Sequence, residues 1–322
     1  MQISGGISIT GGLSLTPGES SSPIVVSGNG YHSGGDPAHV GPGGVPASDT
    51  IQKFSFSSDG NATDVGNLTL SRSRVSGQSS SENGYTSGGE TGPGSYSNII
   101  DKFPFASNGN ATDVGDITQT KVRTAGQYSS DNGYVSGGFS GGQLNVIEKF
   151  PFASDGNAAD IANLAQNVID HVGQSSSASG YASGGRTTDY APVNTIQKFS
   201  FASDQNGTDV GDLPATIFIG TGQQSADNGY MSGGFDLVTW YTAIEKFPFA
   251  TDTNSTTVGN LTCGRGQGAG QSSSVSGYTS GINSGGACDT NIIDKFPFAA
   301  DGNSTDVGDL IENAASPAGQ QG

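Results

Sequence analysis

A six-residue phrase, Gly-Tyr-x-Ser-Gly-Gly, recurs along the chain. Its tyrosines are Tyr31, Tyr85, Tyr134, Tyr181, Tyr230 and Tyr278, spaced 54, 49, 47, 49 and 48 residues apart, and only the sixth copy departs from the glycine doublet, with Gly281-Ile282. A fixed period of this length means that one supersecondary unit is copied and stacked, because a single unit cannot cover its own apolar faces. Each phrase is followed by a loop of unrelated sequence and then by Ile-x-Lys-Phe-Pro/Ser-Phe, whose lysines are Lys53, Lys102, Lys149, Lys198, Lys246 and Lys295. A polar Asp-Gly-Asn-like turn comes next, then Asp-Val-Gly-Asp/Asn-Leu, as in Asp64 to Leu68. A Gly-Gln element closes five units, at Gly77, Gly126, Gly173, Gly222 and Gly270.

Within one unit, Phe150 and Phe152 share one face while Ile147 and Lys149 share the other, which is the two-residue period of a strand. Ser154-Asp155-Gly156-Asn157 is rich in residues that tolerate positive φ or form Asx-turns, and so predicts a hairpin connection. Helix-period patterns of useful length are absent. Four short strands per unit, six times over, predict an all-β chain: a six-bladed β-propeller with four-stranded blades over residues 29–322, preceded by a short extended N-terminal arm, residues 1–28. Radial stacking then lets the Phe face of one blade cover the Ile face of its neighbour.

Composition fits this reading and excludes others. With 53 Gly, 32% hydrophobic and 13% charged residues the chain could pass for disordered, but 15 Phe and 10 Tyr at repeating positions supply regular packing anchors. Glycine never follows a three-residue period, which excludes collagen, and no apolar run is long enough to predict membrane insertion. A net charge of −17 repels a phosphate backbone, so no nucleic acid partner is expected. Met1 to Gly6 show neither a positive nor an apolar signal region, so synthesis in a cytoplasm is expected. Cys263 and Cys288 are expected as free thiols, since two cysteines make neither a disulfide framework nor a four-ligand zinc site.

Six of the seven lysines occupy one repeat position, a predicted structural ring whose ion-pair partners are expected on the fourth strand: Asp64, Asp113, Asp160, Asp209 and Asp306, with Thr257 as the exception. The turns Asp59 to Asp64 and Asp301 to Asp306 carry oxygen ligands, but hairpin chemistry accounts for them and no metal is expected. The glycine doublets are read as sites of close backbone approach, not phosphate cradles, since no helix follows them. His32, His39 and His171 sit in non-equivalent positions with no triad or metal-ligand spacing, so no catalytic residue, cofactor or enzymatic activity is expected.

What varies between units is the informative part. The second-to-third-strand loops hold Tyr96, Tyr190, Trp240, Tyr241 and Arg186, and the connections from fourth to next first strand hold Arg72, Arg74, Lys121, Arg123 and Arg265. In a four-stranded blade these two sets emerge on the same side, so aromatic and basic residues converge on one predicted recognition face of a rigid scaffold. Before the first unit, Gly5 to Thr16 alternate apolar and polar residues, placing Ile7, Ile9, Leu13 and Leu15 on one strand face, suited to pairing with another subunit or docking protein or, as the alternative, to closing the ring or packing on its own propeller. Gly18 to Ser21 offer one candidate first strand for blade one; the C-terminal Gly319-Gln320 offers the other, and would close the ring.

The doublet Gly137-Gly138, the aromatic Phe150 on the following strand and their repetition over residues 18 to 320 resemble the kelch repeat, although the tryptophan usual late in that repeat is replaced near Val65, Val114 or Ile161. The phrase Lys-Phe-Pro-Phe-Ala-Ser-Asp-Gly-Asn-Ala-Thr-Asp-Val-Gly-Asp-Leu also resembles repeat proteins of phages of marine bacteria. The first resemblance implies a propeller. The second implies a non-enzymatic structural or recognition protein of the virion, on capsid or tail, contacting other virion proteins, copies of itself, or a host surface protein or glycan. A soluble carbohydrate-binding lectin or adhesin using Trp240, Tyr241 and Tyr190 is the alternative expectation.

Overall fold

The computed structural model describes residues 28–37, 47–281, 291–312 and 314–322; Ile7, Ile9, Leu13, Leu15, His39 and Cys288 lie outside them. The described residues form six four-stranded antiparallel sheets arranged as the blades of a β-propeller, with one extra two-stranded hairpin, Glu90–Gly92 with Ser95–Tyr96. Blade 2 shows the plan: an inner strand Ser76–Ser79, a second strand Asn83–Ser87, a third Ile99–Pro104 and an outer strand Thr112–Asp116. Blade 1 is assembled differently, because its inner strand is Ala318–Gln321, paired with Asn29–Ser33. The C-terminal candidate therefore holds the position that Gly18 to Ser21 could have filled, and it ties the two ends of the ring together.

The core lies between blades. Ile147, buried on the third strand of blade 3, packs with Tyr134 of the same blade against Phe199 of blade 4. Phe150, on the opposite strand face, packs against Tyr85 and Ile100 of blade 2. Each repeat tyrosine also stacks on the second phenylalanine of the next blade, as Tyr31 does on Phe105 at 4.8 Å between ring centroids. Such pairs add roughly 0.5–1.5 kcal/mol each beyond the area they bury.

At one position of each inner strand only glycine fits. A Cβ on Gly126 would lie 2.1 Å from the backbone oxygen of Gly77, and the Gly-Gln glycine of every blade meets its neighbour in the same way. The glutamine beside it closes the ring: Gln78 Nε2 donates to the Tyr134 carbonyl, Gln127 to Tyr181, Gln174 to Tyr230, Gln223 to Tyr278, Gln271 to Tyr31 and Gln320 to Tyr85, at 2.9–3.1 Å. These buried amides link every blade to the next.

The lysine ring exists, but its partners differ from the expected ones. Lys102, Lys149, Lys198, Lys246 and Lys295 pair with Asp155, Asp204, Asp252, Asp301 and Asp59, each in the third-to-fourth-strand turn of the following blade. Lys53 donates to Asn108, which stands where the other turns carry Asp. The reason is facial: Asp64 stands opposite Gln52 in register, on the strand face away from Lys53, and its carboxylate instead accepts the Gly66 amide. Thr257 therefore leaves Lys246 fully partnered. The asparagine of each turn clasps the preceding blade as well, as when Asn110 Oδ1 accepts the Asn67 amide on the outer strand.

A second column of polar residues is buried between blades, one position before each ring lysine: Gln52, Asp101, Glu148, Gln197, Glu245 and Asp294. Arg72 pairs with Asp101 at 2.6 Å, Lys121 with Glu148 at 2.8 Å, and Arg265 with Asp294, all with fully or almost fully buried side chains. Glu245 is the exception. Ile217 occupies the position of the cation, and Pro214 occupies the position from which Thr69, Thr118 and Thr262 donate a backbone amide to their acids. Glu245 accepts instead from the Thr257 hydroxyl of its own blade, and its other carboxylate oxygen has no partner. In the other five blades this cross-strand site holds Asp; where that Asp stands opposite a buried acid, at Asp101, Glu148 and Asp294, a buried cation offsets the pair, and no cation does so beside Glu245.

Burial raises the pKa of Glu245 above its ordinary value of 4.5, with the Thr257 hydrogen bond opposing the shift. The sign of the linkage follows: the neutral acid is favoured in the fold, so this site is best tolerated below pH 4.5 and costs stability as pH rises through the folded-state pKa. Glu245→Gln, which removes the buried charge and keeps an acceptor for Thr257, should therefore raise stability at neutral pH by about 1–2 kcal/mol. Thermal melts at neutral pH and below pH 4.5 check it, with the gain shrinking in acid.

Candidate functional site

The first-to-second and third-to-fourth turns lie on one side of the disc. The variable loops and the connections between blades lie on the other, bridged by short backbone pairs such as Ser73 with Glu90, Val122 with Phe139, Ile169 with Arg186 and Phe218 with Phe235. The predicted convergence of the two sets on one face is observed, and the residues on it sort into three groups.

Arg72 and Arg265, expected on the recognition surface, are instead buried at 0% and 1% exposure. Arg72 serves the framework: its guanidinium holds Asp101 and donates to the carbonyls of Gly88 and Ile99 at 2.8 and 2.9 Å. Lys121 is buried in the same role. A long basic side chain placed just after an outer strand reaches back between blades to the acid of the next third strand, which composition alone could not reveal.

The second group is an aromatic ladder across blades 4 and 5. Trp240 stacks on Phe235 at 4.5 Å and 25°, Phe235 meets Phe218 edge-on, and the Arg186 guanidinium lies 4.3 Å over Phe218 and 5.5 Å from the Tyr190 ring. Trp240 is half-buried, in contact range of Gly266. Tyr241 is also half-buried and donates its hydroxyl to Asp236, whose carboxylate caps Val238 and Thr239. That tight turn thrusts Val238 and Leu237 outward at 85% and 56% exposure; Tyr190, in the corresponding loop of blade 4, is 49% exposed. Tyr96 is half-buried and edge-on to Phe139 at 6.3 Å. Of the four aromatic candidates, only Tyr190 is fully a surface residue.

The third group surrounds the axis. Arg74 pairs with Glu90 at 2.6 Å; Arg123 and Arg186 both hold Asp170. Arg74, Arg123 and Asp170 border a depression of about 110 Å³ lined also by Ile219, Gln267, Ser316 and His171. His171 and His32 are buried, and desolvation pushes their pKa values down to about 4 and about 3, so both are neutral near pH 7. At the other end of the axis lies a wider serine-lined well of about 450 Å³, floored by Tyr128, whose hydroxyl receives the amides of Gln224 and Gln321. Among the described residues no group of three or more His, Cys, Asp or Glu is placed to hold a metal ion. Cys263 is disulfide-bonded, which corrects the free-thiol expectation.

Sequence reasoning missed Phe139, Phe218, Phe235, Asp170, Ile219, Gln267 and Ser316. Alignment of the connections supplies the signal for the axial residues, because each lies three positions before the Gly-Gln glycine. No protein-family model matches the chain, and no curated protein matches it either.

Proposed function

We propose that this propeller is a non-enzymatic recognition component of a bacteriophage particle, held by its N-terminal side and presenting the variable-loop face outward. The observation that carries the orientation is the position of the chain ends. Asn29 and Gly322 exchange backbone hydrogen bonds, and Gly28 accepts from Phe56, on the side of the disc opposite the variable loops. Gly28 and Asn29 therefore stand on the side away from Tyr190, Val238 and the axial arginines. The kelch-like glycine doublets and the phage-like repeat phrase support the same reading, as does a loop face that differs in every blade on a framework that does not.

Two measurements test it. Deleting residues 1–16, including Ile7, Ile9, Leu13 and Leu15, should abolish co-sedimentation with particles while leaving the melting temperature unchanged; unchanged attachment rejects the anchoring role. An antibody raised against residues 235–241 should bind intact particles and block their adsorption to host cells. Reactivity only after the particles are disrupted would reverse the orientation.

A further inference from the structure

Six residues, one per blade, stand in a left-handed backbone conformation around the axis: Arg74, Arg123, Asp170, Ile219, Gln267 and Ser316, with φ between 55° and 60°. Their backbones form a closed ring. The Arg123 amide donates to the Arg74 carbonyl, Asp170 to Arg123, Ile219 to Asp170, Gln267 to Ile219, Ser316 to Gln267 and Arg74 to Ser316, at 2.7–3.2 Å. Glycine adopts this conformation freely and a branched side chain resists it, Ile most of all. The chain carries 53 glycines and uses them at other crowded axial positions, yet none stands in this collar. The backbone needs no side chain there, so what the six positions retain is the side chains themselves, at a cost in strain that points to function.

All six collar residues line the 110 Å³ depression on the loop face. Their chemistry is polar and nearly charge-compensated, three arginines against two carboxylates: Arg74 is matched by Glu90, while Arg123 and Arg186 share Asp170. Each guanidinium has five N–H donors and gives few of them to these partners, and each carboxylate keeps free lone pairs. The ion pairs fix these groups in place without leaving a strong field, and the chain's net charge of −17 disfavours an anionic ligand. Fixed donors and acceptors side by side, an amide and a hydroxyl opposite, and one apolar edge at Ile219 match vicinal hydroxyls on a ring that also presents C–H surface. We infer that the axial collar is a binding site for a neutral saccharide, the terminal residue of a surface glycan. This deepens the recognition reading proposed above and rests on it.

The intact chain, probed on an array of neutral and acidic glycans at low and high salt, should bind neutral glycans with little salt dependence. The double variant Arg74→Gly/Arg123→Gly should weaken that binding roughly tenfold or more, the size of one or two lost hydrogen bonds. Ile219→Gly, which touches no ion pair, should keep or raise the melting temperature and still weaken binding. A wild-type chain that binds no neutral glycan, binding confined to acidic glycans or to peptide carboxylates, or an Ile219→Gly variant that melts lower and binds normally would each overturn the inference. If the array is blank while the loop antibody still blocks adsorption, the recognition reading stands and the saccharide inference falls.

Discussion

Removing residues 318–322 should cost the propeller on the order of 5 kcal/mol, a large share of the roughly 5–15 kcal/mol by which a domain is ordinarily stable. The segment is the inner strand of blade 1, hydrogen-bonded along Asn29–Ser33, and its loss leaves the ring open at one joint. Ala318 and Gln320 are buried in it, and Gln320 supplies one of the six amide links, to the Tyr85 carbonyl at 2.9 Å, along with hydrogen bonds to Ser33 and Thr86. The Gly319 contacts with Gly270 and Gly77 disappear too, exposing inner strands on both sides. For a chain of this size the melting temperature should fall by on the order of 10 °C, read by circular dichroism. A permuted chain restores the strand without restoring the original end: residues 318–322 are joined ahead of Asn29 through Ser-Glu, copied from Ser81-Glu82, which follow Ser80, the counterpart of Gly322, in the connection between the same two strands of blade 2. Recovery of most of the lost stability would assign the effect to the strand. Little loss on truncation would show that the ring does not depend on this closure.

Much of the fold was legible because its signals are local and repeated. The strand alternation in Val146 to Phe152, the turn at Asp155 to Asn157 and the six tyrosine phrases each act within one unit, so blade number and strand order follow from them. What joins one blade to the next was not legible. The partner of Lys102 is 53 residues away in the next unit, and only the strand face on which each side chain stands selects Asp155 over the nearer Asp113. The site divided in the same way. That Arg72 and Arg74 flank one connection was plain, yet one is sealed between blades and the other stands at the axis, because a two-residue step through the bridge at Ser73 passes from the interface to the collar. The exchange of Asp for Thr257 became interpretable only once Glu245, Ile217 and Pro214 were found around it.

The buried ion pairs offer a second large effect, and the repeat supplies its own control. Arg72→Val should cost about 3–5 kcal/mol, because it strands the Asp101 carboxylate in a site with no exposure. The acid would keep only its hydrogen bonds from the Thr69 amide and hydroxyl, at 3.0 and 2.7 Å. Two other blade interfaces show what a neutral version of the same joint looks like. Val168 stands in the cation position opposite Gln197, and Ala314 stands opposite Gln52, whose side-chain oxygen accepts the Ile311 amide at 2.7 Å just as Asp101 accepts that of Thr69. The double variant Arg72→Val/Asp101→Gln converts one charged interface into this neutral form and retains the acceptor for Thr69. It should therefore recover most of the loss, leaving a net cost below about 1.5 kcal/mol, since a buried pair contributes little once both charges are removed together. Denaturant melts of the two single variants and the double complete the cycle. A double variant as unstable as Arg72→Val alone would mean that the guanidinium's bonds to the Gly88 and Ile99 carbonyls, rather than the charge pairing, hold blade 2 to its connection.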